Sequence, residues 1–125
     1  MGDLSGAYAG QHELIIFAHK GKVLLNGDRD RDVWEFDRDP PKEHPTQKPV
    51  DLIEFAIQKT SNDQDVVLDF FGGSGSTLIA CEKTKRLCFM MELDPKYCDV
   101  IVSRFCKYTG TSKVKLNGQE IDWVV

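Results

Sequence analysis

The feature that most limits what this chain can fold into is a glycine-rich break between two apolar runs. Val66-Val67-Leu68 leads into Asp69-Phe70-Phe71-Gly72-Gly73-Ser74-Gly75-Ser76-Thr77, and Leu87-Cys88-Phe89-Met90-Met91 follows further on. Short, nearly continuous apolar runs read as strands buried on both faces. Glycine is the residue that lets a backbone turn sharply or approach a ligand closely. A strand over 65–70, a helix over 77–85, a strand over 87–91 and a helix over 96–108 make a β-α-β-α unit. The fold class is therefore α/β with a mostly parallel sheet, half of a doubly wound domain. Upstream, Pro49 suits a first helical position, and Leu52, Ile53, Ala56 and Ile57 recur at helical spacing up to about Thr60.

The flanks add smaller elements. Glu13 to His19 (ELIIFAH) reads as a strand, Lys20-Gly21-Lys22 as a turn, and Val23 to Leu25 as a second short strand. Residues 26–45 are rich in Asp, Arg and Pro and read as a connecting loop anchored by Val33, Trp34 and Phe36. After residue 108 come a strand at 114–116, an Asn117-Gly118 turn and a last run, Ile121 to Val125. At 125 residues the chain is one domain, 1–125. Its apolar runs are too short to cross a bilayer and no signal segment opens it, so a cytoplasmic address is expected.

Net charge is −4. A protein that grips DNA unaided usually presents a basic face. If nucleic acid is a partner, most of the gripping surface is expected elsewhere, despite the local cluster Lys83, Lys85 and Arg86. The four cysteines, Cys81, Cys88, Cys98 and Cys106, include no C-x-x-C pair, so no metal site is expected. His12 and His19 lack a partner at ligand spacing and read as ordinary polar or packing residues.

In open parallel sheets ligands sit beyond the carboxyl ends of the strands. Gly73 and Gly75 would let backbone approach such a ligand, and Ser74 and Thr77 are candidates to cap the following helix. Glu92, 23 positions after Asp69, ends the second strand, where a carboxylate can accept from both hydroxyls of a ribose. A dinucleotide fingerprint would place Gly or Ala where Leu78 stands, and a phosphate-cradling loop would carry a lysine in the turn. A nucleoside without a diphosphate fits better than either.

Three segments in this order resemble S-adenosylmethionine-dependent DNA amino-methyltransferases, which modify adenine N6 or cytosine N4. The turn Asp69 to Thr77 is similar to their D-P-F-x-G-S-G-T-T, with Phe70 for the proline and Ser76 for a threonine. His44-Pro45-Thr46-Gln47-Lys48-Pro49 resembles their H-P-T-x-K-P, and Glu92-Leu93-Asp94-Pro95-Lys96-Tyr97 their E-x-D-P-x-Y. The flanks QHELIIF and KLNGQEIDW look like those of phage-type members. The resemblance implies a Rossmann-like methyltransferase fold and S-adenosylmethionine as cofactor. It places the methionine end near His44, Thr46 and Lys48, with Lys48 and the helix N-terminus suited to a carboxylate. It carries the turn contacts to Asp69, Phe70, Phe71, Gly72, Gly73, Ser74, Gly75 and Thr77, and the ribose end to Glu92, Leu93 and Asp94.

The order of the segments resembles the permuted group, in which a (D/S/N)-P-P-(Y/F/W) loop and much of the DNA-recognition region precede the cofactor half. That loop holds the target amino group and stacks on the flipped base. The chain is expected to start about where that first half ends, so no catalytic residue is assigned. Asp39-Pro40-Pro41-Lys42 has lysine in place of the ring and reads as a rigid turn. Asp94-Pro95-Lys96-Tyr97 reads as a helix start. Double-stranded DNA is the expected partner, reached through a separate or missing half. Missing sheet strands would leave apolar surface open to self-association. The alternative is a non-catalytic cofactor-binding module, or a decayed prophage fragment.

Overall fold

The computed structural model describes residues 12–37 and 47–124. In chain order the elements are α1 (Val50–Thr60), β1 (Val66–Asp69), α2 (Ser76–Lys83), β2 (Leu87–Met90), α3 (Pro95–Thr109), β3 (Lys113–Leu116) and β4 (Gln119–Asp122). The alternation expected from the apolar runs is present from residue 50 to 109. Its sheet is small: β1 and β2 pair in parallel, and β3 with β4 forms a separate antiparallel hairpin. Asn117 and Gly118, both at positive φ, make the tight hairpin turn.

Two of the helices, α1 and α3, start where local chemistry favours it. Pro49 sits at the N-cap of α1 with extended backbone and Asp51 in the first turn, where a negative charge suits the dipole. Asp94 caps α3 by accepting from the Lys96 amide, and Pro95 occupies the first helical position. The helix start expected at Asp94-Pro95 is therefore built as such.

The core lies on one face of the parallel pair. Ile57 of α1 and Ala80 and Cys81 of α2 form its centre, with Val50, Ile53, Val67 and Cys88 packed around them. Strand alternation puts Val66, Leu68, Leu87 and Phe89 on the opposite face, and all four are exposed. Arg86, almost wholly buried, ties the entries of both strands together. It donates to the Ser61 carbonyl (2.7 Å) and hydroxyl (3.1 Å) and to Asp63 Oδ1 (3.1 Å).

The strands expected before α1 need correction, while the loop expectation holds in its described part except at Val33. Residues 13–19 and 23–25 form no strand: their backbone pairs with no strand among the described residues, and Leu14 and Ile16 are 89% and 91% exposed. Composition favours extension there, but a strand also needs a hydrogen-bonded neighbour. The 26–45 loop, as far as its described part 26–37 shows, has no helix or strand. Trp34 and Phe36 anchor it on Phe55, with ring centroids 4.7 and 5.8 Å away, while Val33 is exposed. Among the described residues no helix is long and apolar enough to cross a membrane, and no group of three or more metal-ligating side chains is gathered.

The thiols of Cys81, buried, and Cys88, partly buried, give a test of this core. Burial, and then the neighbouring Cys81 thiol, push Cys88 from 9.0 up to about 12; burial also raises Cys81. The folded state thus keeps Cys88 neutral where an unfolded chain ionises it. The resulting stability is fully present below the unfolded thiol's pKa and is lost as pH rises from about 9 toward 12. Urea midpoints measured from pH 7 to 10.5 should fall at the alkaline end, and Cys88→Ala should flatten that fall.

Candidate functional site

The parallel ladder runs past the ends of its strands and builds the turn between β1 and α2. Met91 donates to the Asp69 carbonyl (2.8 Å), and Gly72 donates back to the Met91 carbonyl (2.8 Å). The first turn residues are thereby held beside the end of β2. Gly75 then donates to the Gly72 carbonyl (2.9 Å), closing a tight bend ahead of α2.

Two carboxylates fix the bend from the strand side. Asp69 accepts from the Phe71 amide through Oδ1 (2.9 Å) and from the Thr77 hydroxyl through Oδ2 (2.6 Å). Glu92 accepts from the Gly73 amide through Oε2 (2.7 Å) and from the Asp94 amide through Oε1 (2.9 Å). Both span from strand end to turn, and hydrogen bonds to an ionised acceptor are roughly twice as strong as neutral ones.

The expectation that Ser74 or Thr77 caps α2 fails. The N-cap is Gly75, in the left-handed region, and among the described residues no side chain caps the helix. Both hydroxyls are engaged elsewhere: Thr77 donates to Asp69, and Ser74 accepts from Arg104. The first amides of α2 thus lack the partner a capping side chain would give.

The two glycines expected to approach a ligand play different parts. Gly73, at φ +55°, has open space where a side chain would be, its nearest neighbour being the Phe71 carbonyl at 4.0 Å. Gly75, at φ +85°, lies against α3: a Cβ there would stand 3.2 Å from two Ile101 carbons. Its lack of a side chain makes room for a helix.

Beyond the strand ends lies a pocket of about 560 Å³, within the roughly 300–1,000 Å³ usual for small-ligand sites. Of the residues expected from sequence it brings together Lys48, Asp69, Phe70, Phe71, Gly72, Gly73, Ser74, Thr77, Glu92 and Leu93. Gly75 and Asp94 support this wall from behind without lining it, and His44 and Thr46 lie outside the described residues. Gln47, Ile53, Ser76 and Met91 also line the pocket and were not singled out from sequence. Each stands within one position of a recognised motif or on the inner face of α1. Phe71 and Leu93 are 90% and 98% exposed, an apolar surface beside the Glu92 carboxylate. The Gln47 side-chain oxygen is buried without a hydrogen-bond partner among the described residues. Lys48 is ion-paired with Glu13, so an incoming anion at Lys48 would share or displace that carboxylate.

Comparison with known proteins gives this geometry a context. Residues 4–103 match the family model described as DNA methylase. The chain is similar to the type II methyltransferase M.PvuII of Proteus hauseri, 33% identical over 88 residues that make up 65% of this chain and 26% of that protein. It is 38% identical over 82 residues to the type II methyltransferase M1.MboII of Moraxella bovis, covering 58% of this chain and 32% of the relative. Among solved structures, a complex of M1.HpyAVI with SAM superposes with a TM-score of 0.56 at 31% identity, over 66% of this chain and 43% of the other. The chain thus spans roughly a quarter to a third of the length of these curated relatives.

The turn's dependence on a bare position 75 can be measured. Gly75→Ala combines a left-handed backbone with a collision against Ile101, and should cost about 1–3 kcal/mol of stability. Equilibrium urea denaturation checks this, and an unchanged midpoint would mean that α3 yields freely.

Proposed function

This chain belongs to the DNA methylase family of amino-methyltransferases, and on that premise we propose that it is the S-adenosylmethionine-binding portion of an enzyme that methylates the exocyclic amino group of adenine or cytosine in DNA. The observation that carries the reading is one pocket in which Glu92, the uncapped start of α2 and the segment ahead of α1 converge. The relative crystallised with SAM supports the choice of ligand.

The residues present fit the cofactor's parts. In this reading Glu92 accepts from the ribose hydroxyls while it still holds the turn. Phe71 and Leu93, exposed and apolar, offer area for the flat adenine. Lys48 and the amide ends of α1 and α2 suit the methionyl carboxylate, and the unpartnered Gln47 oxygen suits the α-ammonium. Bound there, S-adenosylmethionine supplies an electrophilic methyl group on a sulfonium. The chain's own share is to orient that end of the ligand and keep it in the angle between turn and strand. Orientation of this kind is a large part of what an enzyme contributes to a direct displacement.

Transfer also needs a group that holds the target nitrogen in line. Among the described residues no (D/S/N)-P-P-aromatic loop occurs, and Asp39-Pro40-Pro41-Lys42 lies outside them. We assign that task, and most of the contact with DNA, to a further segment or a separate polypeptide, in keeping with the net charge of −4. A non-catalytic binding module is the second reading, favoured by the same lack of the loop.

Isothermal titration should detect S-adenosylmethionine binding and no comparable NAD binding; tight NAD binding alone would refute the assignment. Glu92→Ala, losing charge-assisted hydrogen bonds worth about 1.5–3 kcal/mol, should weaken affinity at least about tenfold. With tritiated S-adenosylmethionine and unmethylated DNA, these 125 residues alone should transfer no label. Robust incorporation would show that residues 39–42 do the work denied to them.

A further inference from the structure

Arg104 stands one helical turn beyond Ile101 on α3, facing the back of the glycine turn. Its Nη1 donates to the Ser76 hydroxyl (3.0 Å), the Ser74 hydroxyl (3.2 Å) and the Ser74 carbonyl (3.2 Å). Ser74 and Ser76 are only 5% and 6% exposed, yet both border the pocket. Arg104 itself does not border it and makes no ion pair among the described residues.

The turn needs such a hold. Ser74 sits between two residues at positive φ, Gly73 and Gly75, and glycines give up more conformational freedom on ordering than any other residue. No side chain caps α2 from within. Glu92 fixes the Gly73 amide on the strand side, and Ile101 fills the space left at Gly75. The Gly75 amide is held by the Gly72 carbonyl, whereas Ser74 and Ser76 show no such backbone hold on their amides among the described residues, so a grip on their side chains limits how far those amides rotate. The three acceptors face one charged nitrogen, Nη1, whose two N–H groups are shared among them, and hydrogen bonds from a charged donor are stronger than neutral ones.

We propose that Arg104 is the positioning residue of the cofactor turn, holding Ser74 and Ser76 so that the start of α2 faces the pocket before any ligand arrives. The proposal rests on the cofactor assignment above. Its signature is local order in the free protein, followed by affinity. No sequence motif pointed to this residue, since 28 and 30 positions separate it from the hydroxyls it joins.

The test uses the full chain with Arg104→Met, Arg104→Lys and the double variant Ser74→Ala/Ser76→Ala. Amide hydrogen exchange of the free proteins should accelerate about tenfold or more in peptides covering 72–78 for Arg104→Met, with α1 and β2 unchanged. S-adenosylmethionine affinity should fall about tenfold, and Arg104→Lys should recover part of both effects. The serine double variant, which leaves Arg104 in place, should reproduce the local acceleration; it keeps the question open to test should Arg104→Met fail to fold. Uniform acceleration across α1 and β2 with a lowered unfolding midpoint would overturn the proposal, because Arg104 would then merely stabilise the domain. Unchanged exchange at 72–78 would overturn it as well. If the wild-type chain binds no S-adenosylmethionine, the cofactor assignment fails, and the exchange at 72–78 alone decides the clamp.

Discussion

Everything at the pocket depends on the register of one short parallel ladder. Val66 stands beside Leu87 and Asp69 beside Met90, so both strands end at the same level. Only for that reason can the residues following them meet. The ladder's continuation, Met91 to Asp69 and Gly72 to Met91, carries strand-like pairing into the turn. A slip of one residue by either strand would turn its core residue, Val67 or Cys88, away from α1 and α2 and put Leu68 or Phe89 in its place. It would also move Glu92 off the Gly73 amide. Packing of the core and assembly of the pocket are thus set by the same register.

The two acidic residues at the strand ends have an architectural duty before any chemical one. Among the described residues Asp69 and Glu92 each take at least two donors, most of them backbone amides of the turn or of the start of α3. An amide in a bend that cannot join a ladder must find another acceptor or pay for its desolvation. Carboxylates at the rim supply it while also lining the pocket. This explains why a residue suited to a ribose and a residue needed by the fold can be one and the same. It also means that a loss of affinity on replacing Glu92 would combine a missing contact with a loosened turn.

Much of this was legible in the sequence, because the relevant signals are local. The apolar runs give β1 and β2 within a residue or two, the 3.6-residue recurrence gives α1 and α3, and Asn117-Gly118 gives the hairpin. The motif residues around Glu92 and the glycines converge because strand ends and glycine bends are specified over a few positions. Where several acceptors or donors compete, the sequence was silent. Ser74 and Thr77 look equally like helix caps, and only the arrival of Asp69 and Arg104 from elsewhere decides that neither is. Arg104 itself carries no local mark. Its role is created by α3 packing against Gly75 through Ile101, a contact that no spacing rule predicts.

The region before α1 shows the same limit from the other side. Leu14 to Phe17 and Val23 to Leu25 have the composition of strands, yet they lie exposed and pair with no strand among the described residues, whereas the polar stretch that follows is firmly attached. Asn26 exchanges backbone and side-chain hydrogen bonds with the end of α1, and Lys59 reaches back to the carbonyls of Asn26 and Asp28 and to the Asp30 carboxylate. The difference is one of partners. A helix end presents unsatisfied carbonyls that a single loop can reach, so polar side chains suffice to attach residues 26 to 30. A strand presents a row of donors and acceptors that only another backbone at the proper spacing can meet. Hydrophobicity selects which segments would profit from becoming strands, and the sheet edge available to them decides which of them do.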